Sequence, residues 1–195
     1  MSLPGGTLLL GADATLEPRS GRDAREMFEA VERDREDLRE WLPWVDATRT
    51  PADALAYARF AERQAGAALA FDFSIRSNGR IAGAIGVHHL DWTDSVAHLG
   101  YWLAPGARGR GLATRAVASI ERYAFERLGI HRLEIRCVIE NVRSRAVAER
   151  AGYRLEGTLR EAYALHGRFA DLALYAKVAG DDRTVPRRGF TGERA

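Results

Sequence analysis

Apolar and polar residues follow two rhythms along this chain, and the switches between them mark out its elements. Thr7 to Leu10 and Ala14 to Pro18 read as a first strand interrupted at Gly11-Ala12-Asp13. Asp23 to Trp41 carries apolar residues at Ala24, Met27, Phe28, Val31, Leu38 and Leu42. That partial 3.6-residue period predicts a helix, with Pro43 as its stop. Thr50-Pro51-Ala52-Asp53 is a helix start, with Thr50 as cap and proline in the first turn. This second helix is predicted to reach about Ala65, with Leu55, Phe60 and Tyr57 turned inward. From Ala70 the period becomes two. Phe71, Phe73 and Ile75 share one face of a strand that ends at Arg76. Ser77-Asn78-Gly79-Arg80 supplies a hairpin turn, because Asn-Gly accepts the positive φ such turns need. Ile81 to His89 returns, Asp91 to Asp94 turns again, and Val96 to Leu103 is the next strand. Strands joined by hairpins predict an antiparallel sheet.

The helical rhythm resumes at Leu112. Ala113, Ala116, Val117, Ile120, Ala124 and Leu128 define the clearest helix, with Gly129 as its C-terminal cap. Leu133, Ile135, Cys137 and Ile139 line one face of a following strand. Strand, helix and strand in succession imply a crossover and parallel pairing. Ser144 to Ala151 is a short helix ending at Gly152. Tyr153 to Leu159 and Leu172 to Val178 read as the last strands. The whole predicts an α/β (α+β) fold: a mixed sheet, antiparallel at first, with a strand–loop–helix–strand unit at its centre. Residues 1–178 are expected to form a single domain. Residues 179–195, with Pro186, Gly189 and Gly192 among charges, read as a flexible tail.

The connection inside that central unit carries chemistry. Pro105 and Gly106 end the strand, and Arg108, Gly109, Arg110 and Gly111 stand where the helix begins. The first N–H groups of a helix lack intrahelical partners, and the helix dipole is positive there. Glycines admit a ligand close to that backbone, and arginines suit phosphate oxygens. The segment therefore reads as a pyrophosphate cradle. A P-loop would need Gly-Lys-Ser/Thr, and a dinucleotide fingerprint would need Gly or Ala where Thr114 stands. A solvated basic loop is the alternative.

Arg108-x-x-Gly111-x-Ala113 resembles the Arg/Gln-x-x-Gly-x-Gly/Ala signature of the GNAT acetyltransferases, which bind acetyl-coenzyme A. Leu99-Gly100-Tyr101-Trp102-Leu103 upstream, with Asn141-Val142-x-Ser144 and Ala151-Gly152-Tyr153-x-Leu155-Glu156-Gly157 downstream, looks like the Rim branch of ribosomal-protein N-terminal acetyltransferases. The likeness runs from about Thr7 to Val178. It implies the GNAT acyltransferase fold: a central mixed, mostly antiparallel sheet flanked by helices, splayed between the strand ending at Leu103 and the strand starting at Leu133. Pantetheine would enter that cleft and hydrogen-bond the backbone at Trp102, Leu103 and Ala104. Arg108, Gly109, Arg110, Gly111, Leu112, Ala113 and Thr114 would hold the phosphates. The family also implies a homodimer.

Transfer of an acetyl group from a thioester needs a neutral amine, a donor for the developing oxyanion and a proton for the leaving thiolate. His98 is the candidate base. It shares a strand face with Trp102 and falls where several GNAT enzymes carry a glutamate. A histidine merely hydrogen-bonded in the sheet is the alternative. By the resemblance, Ser144 is the candidate partner of the coenzyme sulfur and Asn141 of pantetheine or a bound water. Both residues also cap helices. The tyrosine general acid of many relatives is replaced here by Ala148. The expected activity is acetyl-CoA-dependent N-acetylation of a protein N-terminal α-amine, a peptide or a small-molecule amine. A coenzyme-A-binding sensor with lost turnover is the alternative.

The remaining features set bounds. A length of 195 residues, 46% of them hydrophobic and 29% charged, fits one soluble globular domain. A net charge of +2 argues against general nucleic-acid binding. Lys177 is the sole lysine, and Cys137, the sole cysteine, permits no internal disulfide. Absence of a membrane-length apolar run or signal peptide gives a cytoplasmic expectation. His88 and His89, as adjacent strand residues, should point to opposite faces and not grip a metal ion. Trp41-Leu42-Pro43-Trp44 reads as a packed corner between the first helices, or as a wall of the acceptor pocket. Glu156, Glu161 and Asp171 read as a solvated acidic patch or as a receiver of a cationic acceptor.

Overall fold

The computed structural model describes residues 6–181. Among them eight strands form one sheet in the order β1-β2-β3-β4-β5-β6-β8-β7. The strands are β1 (Leu8–Leu9), β2 (Ala14–Pro18), β3 (Phe71–Ser77), β4 (Arg80–Asp91), β5 (Val96–Leu103), β6 (Arg132–Val138), β7 (Arg154–Leu165) and β8 (Arg168–Val178). The helices are α1 (Ala24–Arg33), α2 (Arg35–Arg39), α3 (Pro51–Gly66), α4 (Leu112–Arg122) and α5 (Val142–Arg150). Every neighbouring pair is antiparallel except β5 and β6, which run parallel through the α4 crossover. No helix among the described residues is long and apolar enough to cross a membrane.

Strand alternation assigns the two faces. Leu99 and Leu103 of β5, Phe71 and Phe73 of β3, and Leu133 and Ile135 of β6 pack with Ala116, Val117, Ile120 and Ala124 of α4. Trp102, on the opposite face of β5, packs instead with Met27 and Ala30 of α1 and with Val31, Leu38 and Val45. The two layers therefore carry separate tasks: α4 and α5 cover one face, while α1, α2 and the turn Pro43–Ala47 cover the other beside Trp102.

Local rules explain most of the boundaries. Asn78 and Gly79 adopt φ of 49° and 75°, the primed turn their residue types favour. Thr50 and Asp53 form a capping box at the start of α3. Gly129 closes the helical segment at φ 72°.

Five expectations change. The helix expected over Asp23 to Trp41 breaks at Asp34 into α1 and α2, and Pro43 opens a short 3-10 turn of its own. The inward stripe of α3 is Ala54, Ala58 and Ala61, whereas Tyr57 and Phe60 are 45% and 47% exposed. Small residues let α3 lie close, so the bulky ones face out. The final turns of the long helix, Tyr123–Leu128, widen to π-helical pitch, where the Tyr123 ring meets Phe71 and Phe73 edge-on at 6.1 and 6.0 Å. The last helix begins at Val142, with Asn141 as its cap. The last two strands run on to meet at His166-Gly167, well past Leu159 and well before Leu172. β7 is an exposed edge strand, so its residues lack the alternation that marks a half-buried strand. The tail expected over residues 179–195 falls outside the described residues beyond Asp181.

Candidate active site

β5 and β6 are paired only over Val96–His98 and Arg132–Glu134. Beyond that point β5 stays on β4 as far as Leu103, while β6 stays on β8 as far as Val138. The two strands thus part, leaving a cleft about five residues long, or about 16 Å at strand rise. Ala104 N–H donates to Ala82 O at 2.9 Å, so the backbone of Trp102 and Ala104 faces β4. By alternation, the backbone of Tyr101 and Leu103 faces the cleft. Of the three strand residues expected to meet pantetheine, Leu103 is the one whose backbone points there. Tyr101, part of the upstream sequence pattern but not assigned to pantetheine from it, is the second.

The cleft opens onto the loop before α4. Pro105–Ala107 form a 3-10 turn, Gly109 and Gly111 take φ of 78° and 70°, and Gly111 caps α4 without a side-chain acceptor. The first α4 bond runs from Arg115 N–H to Gly111 O. The N–H groups of Leu112, Ala113 and Thr114 therefore start the helix with no intrahelical acceptor. A Cβ built on Gly106, Gly109 or Gly111 meets no atom within 4 Å, so open space lies against this backbone. An anion fits there. Arg110 is exposed and donates to Gly106 O at 2.7 Å. Arg108 is committed elsewhere: Nε donates to Leu103 O at 3.1 Å, Nη1 to Asp37 Oδ1 at 3.0 Å, and Nη2 to Asp37 Oδ2.

On the α1–α2 face, His98, Gly100 and Trp102 succeed one another along β5, with His88, Gly86 and Ala84 opposite on β4. Gly100 is exposed, and only His88 comes as near as 4.0 Å to the position of an added Cβ. The result is a niche with a glycine floor, histidines at one end and Trp102 at the other. Trp44, 39% exposed, stands 6.0 Å from Trp102 at 52°. Trp41 packs instead beside Val138, Leu165 and Leu172 on the β6–β8 side. The Trp41–Trp44 corner therefore spreads over both sides of the cleft rather than closing on itself.

His98 sits at the closed end of the cleft. Its Nε2 is 3.5 Å from Glu134 Oε2, and its ring centroid is 4.9 Å from that of His89. Its pKa is pushed down to about 4, by burial first and then by the positive Arg136, with Glu134 opposing. Glu134 is held in place by Arg132 at 2.9 Å and Arg136 at 2.7 Å. The expectation that His88 and His89 point apart fails at His89: beside the bulge between His88 and Asp91, at φ 49°, its ring comes to 4.9 Å from that of His98, while His88, opposite His98 on β4, turns its Nε2 to Asp72 Oδ1 at 3.6 Å. Among the described residues no group of three or more His, Cys, Asp and Glu converges as a metal site.

On the α4–α5 face, Tyr101 reaches across the cleft. Its hydroxyl donates to Ser144 O at 3.0 Å and accepts from Ser144 Oγ at 3.3 Å. Burial pushes the Tyr101 phenol well up, so it stays protonated. Cys137 is buried beside Ser144, and its thiol is likewise pushed up by burial. Asn141 Oδ1 accepts from Ser144 N–H at 3.0 Å, the capping role open to it from sequence. Ser144 and Asn141 thus lie together at the β6 lip of the cleft, on the face opposite His98. Glu156 is taken by Arg132 at 3.0 and 2.6 Å, and Asp171 accepts from Glu161 N–H at 2.8 Å, so these three do not converge.

Comparison with known proteins fits this geometry. Residues 14–154 match the family model described as the acetyltransferase (GNAT) domain. A Bacillus subtilis (strain 168) protein, provisionally named a ribosomal N-acetyltransferase, YdaF, is 31% identical over 165 residues, covering 83% of this chain and 87% of that one. Mycobacterium smegmatis RimJ, solved in complex with CoA-disulfide, superposes with a TM-score of 0.83 at 25% identity, covering 93% of this chain and 88% of its own. The microcin C7 self-immunity acetyltransferase MccE, solved with acetyl-CoA and AMP, gives a TM-score of 0.83 at 25% identity over 87% of this chain and 94% of its own. With its splayed β5–β6 pair, its glycine loop before α4 and this family match, the chain belongs to the GNAT acetyltransferases.

Proposed function

We propose that this GNAT enzyme transfers the acetyl group of acetyl-CoA to a primary amine by direct attack, the acceptor lying in the niche over Gly100. The parting of β5 from β6 directly below an open-backboned helix start carries this reading. The extended pantetheine arm would add to the β5 edge through Tyr101 and Leu103. Its phosphates would take the N–H groups of Gly109 to Thr114 together with Arg110. Acetyl-CoA supplies the activated acyl group, and the protein positions and screens the reaction.

Amine and leaving group are then served from opposite faces. His98 remains neutral at physiological pH and offers a lone pair toward the niche. With a pKa of about 4 it does not keep the amine proton but passes it to solvent, to which a quarter of its side chain is open. Ser144, whose hydroxyl hydrogen points to the Tyr101 oxygen in this structure, would swing it to the departing thiolate. The ribosomal naming of relatives favours a protein α-amine as acceptor.

The test is release of free thiol from acetyl-CoA against peptides of different N-termini, amino acids and aminoglycoside-like amines, with coenzyme binding measured alongside. Release with one acceptor class supports the reading. Tight binding without release under every acceptor supports a coenzyme sensor instead, and absence of binding overturns the site.

A further inference from the structure

The sequence marks Arg108 as a phosphate ligand, yet the structure closes its forked edge on a carboxylate. Three of its N–H groups are spent on Leu103 O and on both oxygens of Asp37. Asp37 lies on α2, and its neighbour Leu38, 2% exposed, packs with Trp102, Val31 and Val45. α2 is therefore fastened twice to the same stretch, by Leu38 on Trp102 before the Pro105–Ala107 turn and by Asp37 on Arg108 after it. Asp37 also faces Arg143, at the start of α5, at 4.0 Å. The carboxylate thus stands between the loop that ends β5 and the helix that follows β6, across the mouth of the cleft.

We propose that Arg108 and Asp37 are positioning residues: their ion pair is a strut that sets the direction of the glycine loop and ties it to the helix covering the acceptor niche. Arg108 then acts through the loop and not by gripping phosphate. An Arg–carboxylate fork suits this task, because two parallel bonds fix orientation as well as distance. Breaking the strut lets the Gly109–Gly111 backbone turn away from the anion and loosens α2 over Trp102. One change thereby weakens both substrates. This inference rests on the coenzyme site proposed above.

The test uses coenzyme A binding by calorimetry and steady-state transfer to the acceptor found by the thiol-release panel. D37N keeps the shape of Asp37 and removes its charge. It is expected to weaken coenzyme A binding at least fivefold, about 1 kcal/mol, and to raise the acceptor KM. R108D is expected to weaken binding about tenfold or more, and the charge reversal D37R/R108D to bring it back within about threefold of the parent. Unchanged or tighter binding in D37N overturns the strut, because a freed guanidinium would then be serving phosphate. A folded D37R/R108D protein as weak as R108D overturns it too. Thermal melts of each variant separate unfolding from misdirection. Failure of the parent protein to bind coenzyme A would instead overturn the site itself.

Discussion

Replacing His98 with glutamine tests the electrostatics of the closed end of the cleft. The folded pKa is about 4 against an ordinary value of 6.5, the result of burial and of Arg136, with His88 and His89 adding to it and Glu134 opposing. Above about pH 6.5 both folded and unfolded chains carry a neutral imidazole, and His98 leaves stability unchanged. Between about pH 6.5 and 4 the unfolded chain binds a proton that the folded chain refuses, so stability falls as pH falls. At about 1.4 kcal/mol per pH unit, the drop from about pH 7.5 to about pH 5 amounts to about 2 kcal/mol. A quarter of the side chain is open to water, which trims this toward about 1 kcal/mol. Carboxylates with lowered pKa away from His98, among them Asp37, act mostly below this window and equally in both proteins. Urea unfolding at the two pH values should therefore show a loss of about 1–2 kcal/mol in the parent that is missing from His98→Gln. Equal losses in the two proteins would refute a neutral, shielded His98. In the active enzyme the same shift predicts a rate profile with no inflection near pH 6.5.

Three further outcomes follow from named contacts. Gly111→Val places a branched side chain at φ 70° and into the open space beside the α4 start, so coenzyme A binding by calorimetry should weaken more than tenfold, with a stability loss of about 1–2 kcal/mol. Gly100→Val fills the niche floor; acceptor KM should rise several-fold while coenzyme affinity holds, and equal effects on both would place the acceptor elsewhere. Lys177→Met removes the buried partner 2.8 Å from Glu121, and denaturant unfolding should show a loss of about 3–5 kcal/mol.

What the sequence disclosed and what it hid divide along physical lines. Period-two runs with a hydrophobic face, as in Phe71–Ile75, and turns with a single chemical solution, as at Asn78-Gly79, read directly. So did the Thr50 cap and the Gly111 helix start, because local backbone chemistry decides them. The extension of β7 was hidden, since an exposed edge strand has no buried face to generate a pattern. Ala54, Ala58 and Ala61 were hidden in α3 because the helix lies close against α1, where small residues fit and the large apolar ones do not. In the site, parity along β5 could have paired Tyr101 with the Ser144 side of the cleft. The pairing of Asp37 with Arg108 could not be read at all, because 71 residues separate the partners and the join depends on how α2 settles after the break at Asp34.

Hydrogen exchange with and without acetyl-CoA would locate the coenzyme. Slowed exchange should be confined to Tyr101, Leu103 and the N–H groups of Gly109 to Thr114, with β1 to β3 unchanged. Protection absent from the β5 edge and the α4 start, or concentrated elsewhere on the sheet, would contradict a coenzyme seated where β5 and β6 part.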